Sequence, residues 1–206
     1  MEPVDVQVLH FESADGTHLE GDLLSPQNAT GTGVVCHPHP LYGGSRNDAV
    51  VAALSRALVQ TGHRVLRFDF RGTGGSAGEH AGGGAERDDL RAAIEAVEPG
   101  DGPLVVAGYS FGADIALSVD HPALVRWVVV APPLAIIDVD AMAAPTDLRP
   151  VHLLVGGHDQ FMPADELTNA VAAWPAADVH VFETADHFFG GSHGEITDLV
   201  AELLSP

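Results

Sequence analysis

Apolar residues fall in two rhythms along this chain. Compact apolar runs at 33–36, 63–70, 104–107, 125–131, 151–155 and 179–182 read as strands. Between them apolar positions recur at helical spacing: Val50, Val51, Leu54 and Leu58 within 46–60, and Leu90, Ile94 and Val97 within 86–97. Helices are also predicted over 111–119, 164–173 and 195–204, with Pro163 standing where a helix starts. Strands alternating with helices predict an α/β fold with a mostly parallel sheet and helices on both faces. The beginning of the chain departs from this rhythm. Runs at 4–11 and 18–24 flank the turn signal Ala14-Asp15-Gly16-Thr17 and read as an antiparallel hairpin, which brings the expected sheet to eight strands. The longest irregular stretch, 72–84, is glycine-rich and reads as a surface loop.

Length and composition keep this picture simple. With 206 residues, 46% of them hydrophobic, the chain suits one domain, residues 1–206, around a good-sized core. Cys36 is the single cysteine, so an internal disulfide and a cysteine-cluster metal site are both excluded, and a buried strand thiol is expected. The start, Met1-Glu2-Pro3-Val4-Asp5, has neither the basic residues nor the apolar run of a secretory signal, and no later segment approaches membrane-spanning length. A soluble cytoplasmic protein is expected.

Charge narrows the partners. There are 9 basic residues, none of them lysine, against 29 acidic ones, a formal net of −20. Such a surface repels nucleic acid and anionic membranes, and weakly disfavours highly anionic substrates. An acidic, lysine-free composition suits a salt-rich cytoplasm, where screening removes self-repulsion. Codon bias in a high-GC genome yields the same composition, and the two origins stand as alternatives.

Candidate chemistry enters with a pentapeptide, G-x-S-x-G, that occurs three times, centred on Ser76, Ser110 and Ser192. It supplies a nucleophile only where a strand runs into a tight turn and then a helix. Ser110 follows the apolar run Leu104-Val105-Val106-Ala107 and precedes a helix-compatible stretch, with Gly108 and Gly112 where strand and helix crowd together. Ser76 comes late after its strand and before a poor helix start, so it reads as a loop serine. Ser192 has no separate strand before it and reads as lying near a helix N-cap. An acid and a histidine follow Ser110 in the order this turn type requires. Asp159 lies just beyond the strand 151–155, at the edge where open α/β sheets collect functional groups. His187 lies beyond the last strand. Taken singly, a turn aspartate and one of 12 histidines would be unremarked loop residues; their joint placement with Ser110 suggests a triad.

The segments His37-Pro38-His39-Pro40-Leu41-Tyr42-Gly43-Gly44, Arg67-Phe68-Asp69-Phe70-Arg71-Gly72-Thr73-Gly74-Gly75-Ser76 and Asp186-His187-Phe188-Phe189 resemble a family of small, lid-poor bacterial and archaeal α/β hydrolases of the carboxylesterase type. The resemblance spans essentially the whole chain. It implies the α/β-hydrolase fold and a Ser110, Asp159, His187 triad.

On that reading His187 is general base and acid, and Asp159 orients it. An oxyanion needs two backbone N–H donors, one from Phe111 and one from the loop after the third strand. Pro38 and Pro40 have no N–H, which leaves His39, with Leu41 and Tyr42 as fallbacks. His37 and His39 could instead form a metal pair, but no third ligand is evident. Asp69 and Arg71 are expected to tie down the loop beneath the site. Only a short stretch separates Pro133 from Val151, so minimal or no lid is expected. Leu41, Tyr42, Leu134, Ile136, Ile137, Phe161, Met162 and Phe188 are candidates for the pocket lining or, equally, for ordinary packing. The expected function is cofactor-free and metal-free cleavage of small carboxylic esters by a monomer or small homo-oligomer. A thioesterase, amidase or peptidase would use the same triad, and a non-catalytic binding protein could keep the same scaffold.

Overall fold

A computed structural model describes residues 4–98 and 102–205. The eight strands are β1 (Val4–Glu12), β2 (His18–Pro26), β3 (Gly31–Cys36), β4 (His63–Asp69), β5 (Leu104–Tyr109), β6 (Leu124–Val130), β7 (Val151–Gly156) and β8 (Ala177–Phe182). The helices are α1 (Ala49–Gln60), α2 (Gly84–Ala96), α3 (Phe111–Leu117), α4 (Ala164–Ala170) and α5 (His193–Leu204). All strands form one sheet in the order β1-β2-β4-β3-β5-β6-β7-β8. The hairpin β1–β2 and the β2–β4 pair are antiparallel, and every pairing from β4 to β8 is parallel.

The two-residue period of the central strands divides the core. Val34, Leu104, Val106, Leu153 and Val155 face one side, where α2, α3 and α4 cover them with Leu90, Ile94, Ile115 and Leu167. Val35, Val105, Ala107 and Leu154 face the other, under Val51, Leu54 and Leu58 of α1 and Ile196 and Val200 of α5. Strands β3 and β5 are buried along their whole length, as parallel strands between two helical layers must be. Cys36 lies in this core, where burial raises its thiol well above the ordinary range.

Element boundaries differ from the sequence expectation where a polar group intervenes. Helix α1 begins at Ala49, because Asp48 caps it, its Oδ1 accepting from Val50 N–H at 2.8 Å. Before that cap, the backbone and guanidinium of Arg46 are both bound to Asp69. Helix α4 stops at Ala170, and Val171 and Trp174 turn into the core. The loop 72–84 is at the surface but anchored. Its Ser76 Oγ donates to the Asp69 carbonyl at 2.6 Å and accepts from Glu20 N–H at 2.9 Å.

Candidate active site

The parallel strands deliver their carboxyl ends to one edge of the sheet, and the candidate residues gather there. Strand β5 ends at Tyr109, and Ser110 stands between it and α3 at φ 52° and ψ −118°. This is a strained backbone for a non-glycine residue, held because strand, turn and helix over-determine it. The flanking glycines are required by contact. A Cβ at Gly108 would collide with the Gly112 carbonyl, and one at Gly112 would sit 2.5 Å from the His37 carbonyl.

Asp159 is presented by the turn after β7. Its Oδ1 accepts from the N–H groups of Phe161 and Met162 at 2.8 and 3.0 Å, and its Oδ2 lies 2.8 Å from His187 Nδ1. Burial pushes this carboxyl up, but the His187 hydrogen bond and the two backbone donors together hold it below its usual range. His187 is buried in the loop after β8, and its Nε2 lies 3.0 Å from Ser110 Oγ. That loop is laced to its neighbours: the Tyr109 hydroxyl donates to the His187 carbonyl at 3.0 Å, and His158 N–H donates to the Ala185 carbonyl at 2.9 Å. Ser110, Asp159 and His187, which lie far apart in the chain, are thus in one hydrogen-bonded line.

The other two pentapeptide serines stand elsewhere. Ser76 is buried and has both roles of its hydroxyl engaged under the 72–84 loop. Ser192 occupies the N-cap position of α5, but its side chain makes no capping hydrogen bond.

The loop after β3 is fixed by His37. This fully buried imidazole accepts from Phe70 N–H at Nε2 (3.0 Å) and donates to the Pro38 carbonyl at Nδ1 (2.6 Å). Burial lowers its pKa to about 4. With both nitrogens engaged, His37 has no lone pair to offer an ion, and the His37–His39 metal pair is ruled out. Within the same loop Leu41 N–H is bound to His39 Nδ1 (3.2 Å) and Tyr42 N–H to the His39 carbonyl (3.1 Å). Both fallback donors are therefore spent. Among the described residues, the N–H of His39 and that of Phe111, the first residue of α3, have no intramolecular partner.

Asp69 and Arg71 serve the scaffold. Asp69 accepts from the Arg46 guanidinium at 2.8 Å, and Arg71 grips Asp89 at 2.6 Å and Asp15 at 2.8 Å. The pocket candidates divide by exposure. Ile137 belongs to the core, and Leu134, Ile136 and Met162 pack against it. Phe161 and Phe188, 63% and 59% exposed, stand with ring centroids 4.6 and 5.6 Å from the His187 ring. Leu41 and Tyr42, 72% and 87% exposed, crown the loop after β3.

Three further groups shape the site without a sequence pattern that singles them out. The His80 ring lies tilted against His39 at 4.7 Å between centroids and edge-on to Phe111 at 5.2 Å, with its Nδ1 2.8 Å from Glu86 Oε1. Buried Glu86 also accepts from the N–H groups of Ala81 and Gly83. Glu86, the third residue of α2, thereby reaches back to the N-cap Gly83 as in half of a capping box; glycine has no side chain to form the other half, so the sequence signature is missing. Buried Asp114 collects the N–H groups of Leu134, Ala135 and Ile136 at 2.9–3.0 Å and so fixes the connection after β6.

Comparison with known proteins agrees with this architecture. A family model described as "Serine aminopeptidase, S33" matches residues 41–149, a span that includes Ser110 and stops before Asp159 and His187. The chain belongs to this family of α/β hydrolases. It is 32% identical over 210 residues to protein RP471 of Rickettsia prowazekii, covering 95% of this chain and 87% of that protein. An alpha-beta serine hydrolase homologue from Coxiella burnetii has a similar structure, with TM-score 0.87, 29% identity, and 100% of this chain and 99% of that chain covered. So does XC6422 from Xanthomonas campestris, described as an a/b serine hydrolase without lid, at TM-score 0.83 and 26% identity over 98% and 94% of the two chains. The present α/β hydrolase shares that lidless form. Its connection from β6 to β7 contains only two single-turn 3-10 segments, Val139–Ala141 and Ala144–Thr146. Among the described residues no helix is long and apolar enough to cross a membrane.

Proposed function

We propose that this α/β hydrolase cleaves small carboxylic esters through an acyl-enzyme formed on Ser110. The observation that carries the reading is the line Asp159 Oδ2, His187 Nδ1, His187 Nε2, Ser110 Oγ, with spacings of 2.8 and 3.0 Å at its two hydrogen bonds. A serine hydroxyl attacks a carbonyl carbon only as its proton leaves, and a neutral His187 Nε2 is within reach of that proton. As the C–O bond forms, the carbonyl oxygen takes on negative charge, and the free N–H groups of Phe111 and His39 would receive it. Collapse of the tetrahedral intermediate expels the alcohol, which takes the proton from His187. Water then attacks the acyl-enzyme with His187 again as base, releasing the acid and restoring Ser110. Asp159 keeps the Nδ1 proton directed at itself and stabilises the imidazolium between steps.

A site without a lid suits a small acyl group. There is no lid to enclose a long chain, and the apolar residues beside His187, Phe161 and Phe188, are exposed. Amide cleavage is the second reading, since the matching family carries an aminopeptidase description and the same three residues would serve it.

Rates on p-nitrophenyl esters of increasing acyl length, set beside aminoacyl p-nitroanilides, test both readings. Short esters should be cleaved fastest, and a preference for long chains or for the anilides would overturn the ester reading. Asp159→Asn should lower kcat roughly 10⁴-fold and Ser110→Ala roughly 10⁵–10⁶-fold.

A further inference from the structure

A second cluster of chemical groups lies on strands β7 and β8, away from Ser110. His152 and Asp178 are directly paired in the parallel register of the two strands, and His180 follows Asp178 by two residues, which returns it to the same face of the sheet. The three ligand atoms crowd together. His180 Nε2 is 3.4 Å from His152 Nδ1 and 3.3 Å from Asp178 Oδ2, and His152 Nδ1 is 3.8 Å from the same carboxylate oxygen. A tetrahedral ion with bonds of about 2.0–2.1 Å holds its ligands about 3.4 Å apart. An octahedral ion with bonds of that length would need about 3.0 Å between neighbours.

The donor set points the same way. Two imidazoles and one carboxylate suit Zn²⁺ and related transition ions, whereas Ca²⁺ and Mg²⁺ require oxygen ligands throughout. The imidazoles are largely sheltered, with side-chain exposures of 13% for His152 and 19% for His180, while Asp178 at 62% faces solvent. His180 also lines a surface groove of about 540 Å³ with Glu183 and with Glu195 and Leu199 of α5, so that ligand is reachable from solvent. On the other flank, the guanidinium of Arg126 on β6 lies near His152. Arg126 is drawn toward α5 by its hydrogen bond to the Leu203 carbonyl.

From this juxtaposition we infer that His152, Asp178 and His180 form a tetrahedral Zn²⁺-type site that clamps the edge strand β8 to β7. The site does not depend on what Ser110 cleaves. Its consequence for the rest of the molecule follows from topology. Strand β7 leads into the turn of Asp159 and β8 leads into the loop of His187, so an ion across the two strands holds both side chains' supports in register. The sequence signal is Asp178-Val179-His180, an i, i+2 pair on a strand, facing one histidine on its neighbour.

The test uses the full chain without an affinity tag, freed of metal by chelation and titrated with Zn²⁺ and with Co²⁺. One equivalent of Co²⁺ should bind with the intense visible bands of tetrahedral geometry, and Zn²⁺ should displace it. Zn²⁺ at a hundredfold excess over its Kd should raise Tm by about 5–10 °C. His180→Ala and the milder Asp178→Asn, at an exposed side chain, should each weaken binding roughly tenfold or more and reduce the Tm shift. His18→Ala, on the distant hairpin, should change neither. Folded wild type that shows no tetrahedral Co²⁺ spectrum would overturn the inference. So would binding that persists unchanged in His180→Ala and Asp178→Asn.

Discussion

Asp114 illustrates how a single charge is made tolerable in this core. Its carboxyl is fully buried, and burial raises its pKa from 3.8 to about 6 despite the backbone donors that favour the anion. The folded state therefore holds its proton more tightly than the unfolded chain does. Stability from this group is fully present below pH 3.8 and is lost as pH rises through about 6. Asp114→Asn removes that dependence. In urea melts from acid to neutral pH, the stability of wild type relative to the variant should fall across this window by on the order of 3 kcal/mol; a constant difference would contradict the assignment. Ser76 shows a different use of a polar side chain. Its hydroxyl bridges the Asp69 carbonyl and Glu20 N–H, so Ser76→Ala should cost about 1 kcal/mol of stability and leave catalysis intact.

At the scale of elements, the crowding of the turn from β5 into α3 sets the Ser110 pentapeptide apart from the Ser192 copy. Gly112 touches the backbone of Cys36 and His37, whereas a Cβ at Gly190, which opens the third copy, would meet nothing within 4 Å. Gly112→Ala should therefore destabilise the fold by about 1–3 kcal/mol and slow ester cleavage about a hundredfold by displacing Ser110, while Gly190→Ala should do neither. Equal effects of the two would refute the account of the turn. Much of this was legible beforehand, because a buried strand and a helix bracket Ser110 and because chain order singles out Asp159 and His187. The helices announced themselves through Val50, Leu54, Leu90 and Ile94, although α1 starts late where Asp48 caps it. What the sequence did not disclose are contacts between distant segments that share no periodicity. Tyr109 holding the His187 carbonyl, His80 lying against His39, and His180 meeting His152 all arise from which distant segments the fold makes neighbours, which no local pattern encodes. Similarly, the choice among His39, Leu41 and Tyr42 as a donor depends on which amides the turn itself consumes.

For the whole molecule, the uneven use of charge matters most. Among the described residues, Arg46, Arg67, Arg71, Arg91 and Arg149 are already in ion pairs, several of them half-buried. The remaining acidic groups repel one another across a surface with a net charge of −20. Screening should relieve that repulsion, so the urea midpoint should rise between low and molar chloride, and an unchanged or falling midpoint would contradict it. The same potential disfavours polyanionic substrates. The proposed substrate class, a neutral, compact ester, suits both the field and the lidless shape.

Ser110 as the nucleophile is the claim on which the functional account rests, and a fluorophosphonate probe reads it directly. Folded wild type should gain one covalent adduct on the peptide containing Ser110, Ser76→Ala and Ser192→Ala should be labelled like wild type, and Ser110→Ala should remain unmodified. Absence of labelling in folded wild type, or an adduct on Ser76 or Ser192, would contradict the account.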